Sequence, residues 1–195
     1  MVQEQNIATE NSNEQWLKRY YFTRAAFSVI WVAAALTVGQ ETFAVAAALL
    51  IIYPAWDAVA NAVDAARSGG WGHNRSQAIN VVASSVMTIA VAVALTMNMN
   101  WVLGAFGLWA IFSGLMQLGT ALRRWKTNGG QWAMVLSGGQ SAVAGTLFLF
   151  QAQMPQQPSI STVVGYAGLG AFYFLLSAIW LSVTISRRNM RKAEI

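Results

Sequence analysis

Residues 43–67 read FAVAAALLIIYPAWDAVANAVDAAR. This is a predominantly apolar stretch over 43–65 with two aspartates and an asparagine set into it, followed by an arginine. At 1.5 Å per residue it covers the roughly 30 Å of bilayer hydrocarbon. Five further stretches of the same kind flank it, at 20–38, 77–98, 100–122, 132–151 and 163–186. All twelve Lys and Arg residues fall on one side of these six stretches. Lys18, Arg19 and Arg24 lie at the start of the first, and Arg67 and Arg75 between the second and third. Arg123, Arg124 and Lys126 lie between the fourth and fifth, and Arg187, Arg188, Arg191 and Lys192 after the sixth. The alternate connections (Gly39 to Glu41, the turn near Asn98, and Gln153 to Thr162) carry no basic residue. Short basic loops stay in the cytoplasm. The pattern predicts an all-α polytopic membrane protein of six transmembrane helices with both termini cytoplasmic.

Composition agrees. The chain of 195 residues is 56% hydrophobic and 10% charged, where soluble domains carry about a quarter charged residues. Residues 1–19 form a polar cytoplasmic arm with no apolar core, which is not the pattern of a signal peptide. Residues 20–186 make the transmembrane domain, and 187–195 a basic tail. The net charge of +5 is explained by basic residues beside helix ends, where anionic headgroups meet them, so no nucleic-acid partner is expected. With no cysteine and a single histidine, His73, thiolate and multi-histidine metal sites are excluded. No nucleophile-elbow or phosphate-loop motif is present. The expectation is a protein that is not an enzyme, with no cofactor or metal. Its partners would be the bilayer with its anionic cytoplasmic headgroups and a second copy or another membrane protein.

Pairing consecutive stretches gives three helical hairpins, and their second helices align without gaps. Tyr53-Pro54-Ala55-Trp56 matches Phe106-Gly107-Leu108-Trp109 and Leu169-Gly170-Ala171-Phe172, with Asn61, Gly114 and Ser177 five residues beyond each final aromatic. Three tandem two-helix repeats are the predicted architecture. Ser137, Ser141 and Gly145, like Ala167 and Ala171, recur every four residues, a spacing that lets helix backbones approach closely. Trp16, Trp71, Trp125, Trp132 and Trp101 fall near the expected membrane boundaries, as an interfacial aromatic belt does.

These repeats resemble those of the HdeD family, short bacterial inner-membrane proteins of the repeated DUF308 type. The resemblance is carried by residues 24–30 (RAAFSVI), 102–114 (VLGAFGLWAIFSG) and 165–172 (GYAGLGAF). It implies a bacterial inner-membrane protein associated with acid or envelope stress, and it carries over no catalytic residues. Pro54, where the other two copies have glycine, departs from the pattern.

The polar residues inside the stretches are the candidate functional groups. Asp57, Asn61 and Asp64 share one helix face, Asn61 about 40° and Asp64 about 20° from Asp57 at 100° per residue. An aspartate near a helix centre costs about 2.5–3.5 kcal/mol on insertion scales and so faces a partner or a wet cavity. Asp57 lies about 12 Å inside the hydrocarbon, at a depth where no basic residue is expected. It is therefore a proton-binding candidate with Asn61, or else a neutral group hydrogen-bonded across the bundle. Arg24 and Asp64 are expected to form an ion pair closing the first hairpin, or else Arg24 snorkels to the headgroups and leaves Asp64 hydrated. Asn80, Gln117 and Gln140, with Ser84 and Ser85, would line a polar path if the bundle brings them together. Two functions follow as expectations. One is an HdeD-like stress-tolerance protein; the other is a small proton-coupled transporter or channel using Asp57.

Overall fold

The computed structural model describes residues 2–67, 70–72, 74–124 and 131–193. Among them it contains six long helices and no strand. These are α1 (Val2–Leu36), α2 (Phe43–Arg67), α3 (Arg75–Leu95), α4 (Met99–Arg124), α5 (Gln131–Gln151) and α6 (Ser161–Ala193), with one 3-10 turn at Val38–Gln40. Four of them carry spans long and apolar enough to cross a membrane: Phe43–Arg67, Arg75–Leu95, Met99–Gly119 and Ser161–Arg188. Ile30, Val82, Leu108, Leu136, Phe150 and Trp180 stand on the outer surface. A continuous apolar exterior of this kind is stable only against lipid.

Apolar periodicity placed the helices but not the ends of the outermost two. Residues 2–19, expected as an arm apart from the bundle, continue α1 as helix, and α6 runs on through 187–193. Neither segment contains proline or glycine, so nothing stops the helix when the apolar residues end. A search for lipid-soluble runs does not register such polar extensions. At the end of the α6 span, Arg188 donates to Glu14 and ties α6 to α1.

The packing corrects the hairpin picture. The most extensive helix pairs are α4 with α5, α1 with α6, and α2 with α3, whereas the predicted hairpin partners α1–α2 and α5–α6 touch far less. Close pairs thus form across the basic connections, and α1 against α6 joins the two ends of the chain. The reason is clearest in α4–α5. An added Cβ at Gly145 would lie 2.5 Å from the Gly107 carbonyl oxygen, and one at Gly114 2.5 Å from that of Gly138. Between these contacts the Ser141 hydroxyl donates to the Ala110 carbonyl at 3.0 Å. In each pair the residue numbers total 251 or 252, the signature of one antiparallel register. Backbones this close require a small-residue face. That face is Gly138, Ser141 and Gly145, while Ser137 of the expected four-residue series lines the interior cavity.

The repeat pattern does not extend evenly to α6. Asn61 and Gly114 are buried, but Ser177 is exposed, and Phe172 lies on the outer surface. α2 continues through Pro54, which is buried. The Trp31 indole donates to the Leu49 carbonyl at 2.8 Å, one residue before the carbonyl that Pro54 leaves without its helical donor.

The interior is divided along its length. At the ends that carry no basic residues, Trp31, Leu50, Val91, Phe106, Phe148 and Val163 belong to one dry core. Toward the basic ends the interior turns polar, and the candidate site lies there.

Candidate functional site

The site begins with the register between α1 and α2. Trp16 donates to Asp64 at 3.0 Å, Tyr20 to Asn61 at 3.4 Å, Arg24 to Asp57, and Trp31 to Leu49. The two residue numbers in each pair total 80 or 81, so a single antiparallel alignment about the 37–42 turn generates every contact. Trp16, Tyr20 and Arg24 are four apart on α1, and Asp57, Asn61 and Asp64 share one face of α2, which is the spacing that stacks side chains along a helix.

This register overturns the expected Arg24–Asp64 ion pair. Arg24 meets Asp57 instead, while Asp64 lies level with Trp16, nearer the helix end, and also accepts from Gln77 at 2.5 Å. The correction has a physical reason. Depth was counted from where the apolar stretches begin, but in a hairpin it is set by distance from the turn. Counted from the turn, Arg24 reaches Asp57. It also overturns the expectation that no cation lies at the depth of Asp57.

The Asp57 carboxylate takes hydrogen bonds from three side chains. One oxygen takes the Arg24 guanidinium; the other accepts from Asn61 Nδ2 at 2.9 Å and Ser84 Oγ at 2.5 Å. Arg24 in turn donates to the Tyr20 hydroxyl at 2.9 Å and lies 4.3 Å above the centre of the Phe174 ring. Arginine suits such a position because its planar fork bonds a carboxylate and stacks on an aromatic face together. The cluster thereby joins α1, α2, α3 and α6.

Around it lies a cavity of about 500 Å³. Of the residues singled out from the sequence, Arg24, Asp57, Asn61, Asp64, Asn80, Gln117 and Gln140 line it, whereas Ser84 is turned to Asp57 and Ser85 is exposed. The polar groups of five helices therefore converge. Tyr173 donates to Gln140, and Asn80 donates to Gln77 at 3.3 Å. Deeper in, Tyr53, Trp56, Trp109 and Tyr166 line the wall, with the Tyr166 hydroxyl 3.1 Å from that of Ser141. The lining reaches Asn74 and the exposed Ser76 at the basic end, and the dry core closes the other.

Three polar atoms of lining residues are buried with no hydrogen-bond partner: Arg24 Nε, Trp56 Nε1 and Gln117 Oε1. Buried polar groups are ordinarily satisfied, because an unmade bond costs about 1–3 kcal/mol. The three residues, on α1, α2 and α4, all line this cavity, which makes its surface suited to a hydrogen-bonding guest. No group of three or more metal-ligating side chains occurs among the described residues; His73 lies outside them.

Comparison of the chain with protein-family models, curated proteins and solved structures finds no match in any of the three. The site is therefore read from its own chemistry.

Sequence reading missed Trp16, Tyr20, Gln77, Tyr53 and Tyr166. Trp16 was placed in the interfacial belt, yet its indole is spent on Asp64. The signal that finds it is the four-residue ladder on α1 set against the ladder on α2, once a turn at 37–42 fixes their alignment.

Proposed function

We propose that this chain is a non-enzymatic protein of the bacterial inner membrane, with six spans and both termini in the cytoplasm, that takes a small polar solute into the cavity beside Arg24 and Asp57. The observation that carries the reading is the one-sided interior: a polar cavity reaching the basic ends, over a dry core at the other. Ligand sites in helical membrane bundles are cavities of this kind, with ionisable groups facing inward. The apolar part of α1 and the 21 residues of α5 have the length needed to complete the six spans. The one-sided distribution of Lys and Arg supports the orientation. Anionic headgroups at the cytoplasmic face are the natural neighbours of the basic loops.

The absence of cysteine makes the test direct. A single Ser113→Cys on the cavity wall is expected to react with a membrane-impermeant maleimide in inside-out vesicles and not in right-side-out ones. Gln156→Cys, in the α5–α6 connection, is expected to give the opposite result. Protection of Ser113→Cys from both sides would remove the open cavity, and labelling of both positions from one side would remove the topology.

Proton coupling is the second reading, favoured by the position of Asp57 on the cavity wall. The resemblance to the HdeD family supplies acid or envelope stress as its setting. Survival at acid pH of cells whose only copy carries Asp57→Asn is expected to fall to that of cells lacking the protein, at equal membrane abundance. Survival equal to wild type would exclude a proton role for Asp57.

A further inference from the structure

A second concavity, of about 650 Å³, lies on the outside of the bundle in the seam between α3 and α4. Its walls are apolar throughout. Alanines 78, 83, 90 and 105 hollow it out, and Ile79, Val82, Val86, Leu108 and Phe112 stand exposed along it. From Ala78 to Ala90 it runs about 18 Å at 1.5 Å per residue, close to one leaflet of a hydrocarbon core about 30 Å thick. Trp109 lines both this groove and the polar cavity. The seam itself is looser than the α2–α3 and α4–α5 packings on either side of it.

We infer that the ligand is a single-chain amphiphile drawn from the bilayer, with its acyl chain in the α3–α4 groove and an uncharged, polyhydroxylated head in the cavity behind Trp109. The inference rests on the solute-binding reading of that cavity. Continuity through one side chain argues for one ligand spanning both sites, because the groove offers no polar contact and Trp109 is the residue that lines both. The head is chosen by the unpaired atoms. Arg24 Nε and Trp56 Nε1 require acceptors and Gln117 Oε1 requires a donor, and a hydroxyl is the small group that supplies both. Ser28, Ser113, Ser137, Asn61 and Asn80 extend the same neutral hydrogen-bonding surface. An anionic head is disfavoured. Arg24 is the sole cation among the described lining residues and is committed to Asp57, while Asp57 and Asp64 face the same space. Trp109, with its flat ring at the junction, is the partition that must shift to admit the head.

The test uses the full-length protein in nanodiscs of saturated phosphatidylcholine, titrated with a dibromostearoyl monoglyceride whose bromines quench nearby indoles. The difference in quenching between wild type and Trp109→Phe is expected to saturate. The lysophosphatidate of the same chain is expected to need a concentration higher by about tenfold or more. Ala83→Leu, which fills the groove without touching the cavity wall, is expected to raise the half-saturation point for the monoglyceride by a similar factor. Quenching that rises linearly with probe fraction, alike in wild type and Trp109→Phe, would overturn the proposal, as would equal half-points for the two head groups. Maleimide labelling of Ser113→Cys in the same nanodiscs separates the two levels. Labelling without saturable quenching removes the amphiphile and keeps the solute cavity; absence of labelling removes both.

Discussion

Gly145→Ala is expected to disrupt the α4–α5 pair and cost about 3 kcal/mol or more, at or above the upper end of ordinary overpacking. The added methyl carbon would sit 2.5 Å from the Gly107 carbonyl oxygen and 2.8 Å from the backbone nitrogen of Ile111. Both obstacles are main chain of a neighbouring helix, so no side-chain rotation relieves them. Gly114→Ala meets the Gly138 oxygen at 2.5 Å and the Ala142 nitrogen at 2.8 Å and is expected to behave alike. Gly139→Ala is the control within the same helix. It meets nothing within 4 Å, and alanine favours helix over glycine by up to about 1 kcal/mol. Thermal unfolding in detergent, followed by loss of the monodisperse peak in size exclusion, ranks the three. Equal stability of Gly145→Ala and Gly139→Ala would mean that α4 and α5 are not in this register.

The second large effect is electrostatic. Arg24→Met leaves Asp57 with a charge and no cation in a poorly exposed position, its side chain 17% accessible. Removing one partner of a buried ion pair costs about 3–5 kcal/mol, chiefly because the other charge stays behind. The Arg24→Met/Asp57→Asn double variant is therefore expected to be more stable than Arg24→Met alone, with a coupling energy of about 2–3 kcal/mol in a double-mutant cycle. The same cycle with Asp64→Asn separates the two pairings. Asp64 bonds Trp16 and Gln77 rather than the guanidinium, so its coupling to Arg24 is expected to be well below that of Asp57. Stronger coupling to Asp64 would restore the pairing read from sequence and place α1 about two turns away from its position here.

Asp57 connects stability to function. Three donors from three helices hold its oxygens, which fixes the side chain as a rigid element of the cavity wall. A guest bound beside it would find a preorganised surface, and binding would not first have to order those groups.

Much of this was legible in the sequence. The lengths and apolar content of the stretches located all six helices to within a few residues in the membrane-length parts, because lipid solvation is a local property of composition. The inward polar groups were legible for the same reason: Asp57, Asn61 and Asp64 share a face by helical geometry alone, and a costly polar group in an apolar stretch announces itself. Three things needed the tertiary structure. Which helices pack closely depends on matching faces from separated segments, as with Gly107 and Gly114 against Gly138 and Gly145. The partner of Arg24 depends on the turn that sets the register between α1 and α2, and a shift of two turns exchanges Asp57 for Asp64. The meeting of Asn80, Gln117 and Gln140 around one cavity, with Trp109 lining both it and the outer groove, depends on the rotation of each helix about its axis. Periodicity gives each helix a polar face, but only packing decides that those faces look at one another.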